Sequence, residues 1–188
     1  MNLPNKLTII RMVLTPVFLL VFEASFIPYH CFIGLAVYVA GCITDFLDGK
    51  IARKYNLITT FGKLADPVAD KMLTTAALLA LMQAGYCSLY IVFIVLTREF
   101  AVTSVRLAAS AQGVVIPANI WGKIKTVSQM VSTILIMLLI SLKQINALPE
   151  SFPLDILASV LLWITAAFAV ISGIIYIKDG VKRIDFNK

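Results

Sequence analysis

The chain has 188 residues, of which 60% are apolar and only 14% charged, with a mean hydropathy of +0.94 and a net charge of +6. Soluble domains carry about 25% charged residues. So little polar side chain cannot cover a water-soluble globule, which excludes a disordered chain and a soluble enzyme domain with a membrane tail. An integral membrane protein is left, with its excess positive charge at helix ends rather than on a nucleic-acid surface.

A spanning helix needs about 20 mostly apolar residues. In chain order, spans are expected near 7–26, 31–53, 59–83, 88–110, 121–143 and 155–177. The first contains Arg11, which can snorkel to the headgroups from the opening turns. It reads as a retained span, because no small-residue cleavage site follows it near Glu23. The second is entered through Pro28. The third and fourth are parted by a turn near Ala84–Tyr86, and the sixth holds the longest charge-free run, Ile156 to Ile177. The expected fold is therefore all-α, one membrane domain over 1–188 made of six transmembrane helices in a compact bundle. Lys6, Arg11, Lys50, Arg53, Lys54, Lys63, Arg106, Lys123, Lys125, Lys178, Lys182, Arg183 and Lys188 fall at one set of helix ends, and Lys143 at the other. The positive-inside rule then puts both termini in the cytoplasm. Cys31, Cys42 and Cys87 lie in apolar surroundings without metal-ligand spacing, and read as packing residues. A lone His30 makes a zinc or haem site improbable.

Four carboxylates stand where a membrane helix should avoid them: Asp45 and Asp48 in ITDFLDGKIARK, and Asp66 and Asp70 in FGKLADPVAD. The first pair is spaced i, i+3 and the second i, i+4, so each pair shares a helix face. A short connection makes the two helices antiparallel and brings all four to the cytoplasmic side. Four like charges in a low-dielectric pocket need a counter-charge. Oxygen ligands without histidine or cysteine favour a hard ion, Mg²⁺ or Mn²⁺, and four carboxylates suit two of them. Gly49, Ala52 and Gly62 lie on the same faces. They either leave room for a bulky ligand or simply allow close helix packing.

The complete pattern is D-x-x-D-G-x-x-A-R, eight residues, then G-x-x-x-D-x-x-x-D, read here as Asp45, Asp48, Gly49, Ala52, Arg53, Gly62, Asp66 and Asp70. It resembles the signature of the CDP-alcohol phosphatidyltransferase family at every position. The resemblance implies a metal-dependent transfer, in which an alcohol hydroxyl attacks the β-phosphorus of a CDP-linked lipid and CMP leaves. It implies metal ligation by Asp45, Asp48, Asp66 and Asp70, with Asp70 as general base. It also implies a donor site that draws on Asp48, Gly49, Ala52, Arg53 and Gly62, and a homodimer. Arg53 would neutralise the carboxylates or touch a donor phosphate, and Lys71 would do the former. Asn5, Thr8 and Arg11 follow one another at three-residue steps on the first helix. They either reach the donor diphosphate or serve as helix cap (Asn5) and headgroup contact (Arg11).

The signature does not name the alcohol. Leu3-Pro4-Asn5-Lys6-Leu7-Thr8, Thr97-Arg98-Glu99-Phe100 and Trp121-Gly122-Lys123-Ile124-Lys125-Thr126 resemble the corresponding segments of bacterial phosphatidylglycerophosphate synthases. That branch implies a bacterial cell membrane, CDP-diacylglycerol as donor and glycerol 3-phosphate as acceptor. Arg106, Lys123 and Lys125 would supply the cations that a phosphate dianion needs, although topology alone also puts lysines there. Arg98 and Glu99 read either as an intramembrane ion pair or as substrate contacts. Serine, inositol phosphate or phosphatidylglycerol are the alternative acceptors. A divalent-cation transporter is the remote alternative, disfavoured because the carboxylates sit at one end of the helices.

Overall fold

The computed structural model describes residues 2–55, 59–114, 116–117 and 119–183, and the side chains of all of these except Arg53, Thr60 and Lys63. The contacts expected of Arg53, and the places of Lys63 and Lys188 in the basic set, lie outside the described residues. Among the described residues every regular element is a helix. These are α1 (Leu3–Glu23), α2 (His30–Lys54), α3 (Thr60–Gln83), α4 (Leu89–Ala111), α5 (Ile120–Gln144) and α6 (Leu154–Val181). Four of them, α1, α2, α5 and α6, are long and apolar enough to cross a membrane. The other two, α3 and α4, have 24 and 23 residues and carry the intrahelical charges Asp66, Asp70 and Lys71, and Arg98, Glu99 and Arg106.

The first helix begins four residues earlier than the hydropathy suggests. Asn2 caps it by accepting from the Asn5 amide, and Pro4 sits in the first turn, where its missing N–H costs nothing. The turn after α3 is made at Gly85, whose φ of +86° is open to glycine without strain.

The chain divides into two compact units, residues 1–85 with 133–154, and residues 86–132 with 155–188. In the first unit α1 packs on both α2 and α3. Lipid and apolar side chains are equally apolar, so close fit rather than water exclusion must hold such helices together. Small inward residues supply that fit: Ala65, Ala69, Ala76, Ala77 and Ala80 on α3 are all buried. A Cβ added at Gly41 of α2 would stand 2.7 Å from Leu73 Cδ2 of α3, so a side chain there would displace the end of Leu73. Phe18, Phe22 and Tyr38 close the same unit, with ring centroids 5.6 and 5.7 Å apart. The second unit contains α4, the first half of α5, and α6. A Cβ on Gly180 of α6 would fall 2.3 Å from Val105 Cγ1 of α4, so this pair is tighter still.

The surface is inverted relative to a soluble protein. On α6 alone Ile156, Val160, Trp163, Ile164, Val170, Ile171 and Ile174 are exposed, while Thr165 and Ser172 are buried. Apolar side chains outside and hydrogen-bonded polar ones inside are what a lipid solvent demands.

Candidate active site

Polar residues line one inward stripe of α1: Asn5, Thr8, Arg11 and Thr15 are all buried, while Ile9, Ile10, Val13 and Val17 face outward. Each buried group has a task. The Asn5 side-chain oxygen accepts from Thr59 Oγ1 at 2.9 Å, and Thr59 accepts in turn from the Gly62 amide at 3.0 Å as the cap of α3. Thr8 donates to Asp66 Oδ1 at 2.5 Å. The Arg11 guanidinium reaches α2, with Nη1 2.7 Å from Asp45 Oδ1 and Nη2 paired with Asp48 Oδ2. Thr15 donates to the Arg11 carbonyl at 3.0 Å, which holds the turn that presents the guanidinium.

Two expectations are corrected here. Asn5 is not the helix cap, because Asn2 takes that role and leaves the Asn5 side chain to tie α1 to the start of α3. Arg11 does not snorkel to headgroups; it is fully buried, because two carboxylates on α2 offset the cost of taking its charge out of water. Lys71 also departs from expectation, for its ammonium lies on the Pro67 carbonyl at 3.3 Å instead of neutralising the aspartates.

Asp45, Asp48 and Asp66 are thus gathered at α1, and the Asp66 charge is felt at both other carboxylates. Asp70 lies one turn further along α3. Gly62 is buried beside the cluster, where an added Cβ would stand 3.1 Å from Asn5 Oδ1, 3.2 Å from Thr59 Oγ1 and 3.6 Å from Asp66 Oδ2. Close approach of α1 and α3 therefore accounts for this glycine. Gly49 and Ala52 are half-buried on α2.

The donor chemistry fits a hard divalent ion, since every candidate ligand is a carboxylate. The arrangement is different: among the described residues no three of the His, Cys, Asp or Glu side chains stand close enough together to hold a metal ion. Asp45 and Asp48 are taken up by Arg11 and Asp66 by Thr8. The positive charge among these carboxylates is the arginine.

In the second unit the expected basic residues separate into two groups. Lys125 is buried on α5 and paired with Glu99 Oε1, which also accepts from Arg98 Nη1 at 3.0 Å. Arg98 Nε donates to Ser172 on α6 at 3.1 Å, and its stem lies against Gly173, where a Cβ would be 3.1 Å away. The Arg98–Glu99 ion pair therefore exists, and Lys125 belongs to it. Arg106 stands apart, donating from Nε to Tyr176 Oη at 2.6 Å with the guanidinium 5.0 Å above the ring centre. Lys123 is exposed. A cavity of about 140 Å³ lies beside Tyr176, lined by Ile116, Pro117, Asn119, Asp179 and Arg183. Tyr176, Ser172 and Asp179 escape sequence reading, because single polar residues in the apolar run of α6 carry no motif. In the turn before α4, burial pushes the Cys87 thiol up to about 11, consistent with an inert side chain.

The model of the CDP-alcohol phosphatidyltransferase family matches residues 1–171. The chain belongs to the CDP-alcohol phosphatidyltransferase family. Its similarity to named members runs over nearly its whole length. It is 39% identical over 186 residues to the CDP-diacylglycerol–glycerol-3-phosphate 3-phosphatidyltransferase of Bacillus subtilis (strain 168), covering 92% of this chain and 91% of that protein. It is 37% identical over 177 residues to the protein of the same name from Rickettsia bellii (strain RML369-C), covering 94% of each. It is also 37% identical over 185 residues to a probable phosphatidylglycerophosphate synthase of Mycobacterium tuberculosis, covering 97% of this chain and 83% of that protein.

Proposed function

We propose that this chain transfers the phosphatidyl group of CDP-diacylglycerol to glycerol 3-phosphate, giving phosphatidylglycerophosphate and CMP. The observation that carries the reading is the cluster of Asp45, Asp48 and Asp66 at the inward polar stripe of α1, with Asp48 buried and the other two partly exposed. The names of the relatives support the choice of donor and acceptor.

Asp45, Asp48, Asp66 and Asp70 would hold two divalent ions, Mg²⁺ or Mn²⁺, which would neutralise phosphate charge when bound. The remaining steps belong to side chains. Asp70 takes the proton from the attacking hydroxyl, and the oxygen then forms its bond to the β-phosphorus as the bond to CMP breaks. Asn5, Thr8, Arg11, Gly49, Ala52, Arg53 and Gly62 surround the donor. Arg106, Lys123 and Lys125 hold the acceptor phosphate. All six helices span a bacterial cell membrane as one domain, with both termini and the aspartates at the cytoplasmic side, and the protein is a homodimer.

The test supplies purified protein with labelled CDP-diacylglycerol and, separately, glycerol 3-phosphate, serine, inositol phosphate and phosphatidylglycerol. Product and CMP should appear with glycerol 3-phosphate. Product with another alcohol alone would move the chain to a different acceptor. No CMP release with any alcohol would refute the enzyme reading.

A further inference from the structure

Arg11 has three properties that a permanent structural ion pair does not need together. Its side chain is fully buried, and it is shared between two carboxylates of the signature. Yet Nε makes no hydrogen bond, and Nη1 lies 2.7 Å from Asp45 Oδ1 without the alignment of one. A buried guanidinium with unsatisfied nitrogens is costly, because desolvation is only partly repaid. The neighbouring carboxylate Asp66 is held by Thr8, three residues earlier on the same helix. Thr8 and Arg11 therefore engage Asp66, Asp45 and Asp48 from one face of α1, and among the described residues no three His, Cys, Asp or Glu side chains are grouped so as to hold a metal ion.

We infer that Arg11 is the resident counter-cation of the aspartate cluster, which neutralises Asp45 and Asp48 in the metal-free protein and yields both carboxylates to an entering divalent ion. The lone pairs it occupies are ones that an ion would use, so the two cations compete. Removing Arg11 raises metal affinity in place of lowering it. A structural ion pair predicts the opposite, since loss of Arg11 would disorder the ligands. The inference rests on the proposed metal role of these aspartates and is independent of the acceptor.

The experiment measures Mn²⁺ binding calorimetrically on the full-length protein in detergent, with no substrate, for wild type, Arg11→Gln, Arg11→Lys and Asp48→Asn. Thermal unfolding is followed with and without Mn²⁺. Arg11→Gln should bind Mn²⁺ roughly tenfold more tightly, because a close competing charge is gone. Arg11→Lys keeps the charge and should stay within about threefold of wild type on the same reasoning. Without metal, Arg11→Gln should unfold at least about 5 °C below wild type, as expected when a buried carboxylate loses its partner. Saturating Mn²⁺ should close most of that gap. Recovery of folded Arg11→Gln only in the presence of Mn²⁺ would support the exchange in the same way. Mn²⁺ affinity equal to or weaker than wild type in Arg11→Gln would overturn it, as would failure of that variant to fold even with Mn²⁺. If Asp48→Asn binds Mn²⁺ like wild type, the metal role of the aspartates fails first. If Asp48→Asn loses Mn²⁺ while Arg11→Gln is unchanged, only the competition is refuted.

Discussion

Glu99→Gln should be the most informative single change in the second unit. The Glu99 carboxylate is 20% exposed and is shared by two cations, Arg98 at 10% and Lys125 at 4% exposure. Arg98 keeps a second partner, because its Nε donates to Ser172 at 3.1 Å. Lys125 is the more deeply buried of the two cations. Removing one member of a buried pair costs about 3–5 kcal/mol, mostly through the stranded charge. Intramembrane hydrogen bonds often contribute less, near 0.6 kcal/mol on average, so a loss of about 2–3 kcal/mol is expected for Glu99→Gln. The double variant Glu99→Gln/Lys125→Met removes the stranded charge as well. It should recover about 1–2 kcal/mol of what the two single changes lose together. The assay is reversible unfolding in mixed micelles for wild type, both single variants and the double. Additivity within about 0.5 kcal/mol would show that Glu99 and Lys125 do not act as a pair, and would refute this reasoning.

Chelation by EDTA should abolish CMP release and added Mg²⁺ or Mn²⁺ should restore it, whereas full turnover in a metal-free preparation would remove the aspartates from metal binding. Asp45→Asn, Asp48→Asn and Asp66→Asn should each lose most activity while the protein still inserts, checked by turnover beside a folding assay. Arg106→Ala should raise KM for glycerol 3-phosphate roughly tenfold to a hundredfold, the value of a charge-assisted contact of about 1.5–3 kcal/mol, with KM for CDP-diacylglycerol nearly unchanged; damage confined to the donor would move the acceptor pocket elsewhere. Gly180→Ala puts a methyl 2.3 Å from Val105 Cγ1 and should destabilise the protein by about 1–3 kcal/mol, and Val105→Ala should restore much of it if that contact is the cause.

The helices were legible from length and apolarity, both local properties, and four of them, α1, α2, α5 and α6, are long and apolar enough to cross a membrane. The bounds 31–53 and 59–83 lie within one residue of α2 and α3. The signature aspartates were legible for a related reason: charge is so unfavourable in lipid that each instance draws attention. Helical spacing also put Asn5, Thr8 and Arg11 on one face of α1. What that face meets was not legible. An arginine near a helix end reads equally as a headgroup contact or a buried cation, and the choice depends on whether carboxylates from another helix stand opposite. Asp45 and Asp48 do stand there, 34 and 37 residues away in sequence. The same holds for Lys125, which by topology alone is one more cytoplasmic lysine and in the fold shares a carboxylate with Arg98. Period and composition report which side of a helix is polar. The partner of each buried charge is a long-range choice, settled only when the helices pack and desolvation forces every charge to find its counter-charge.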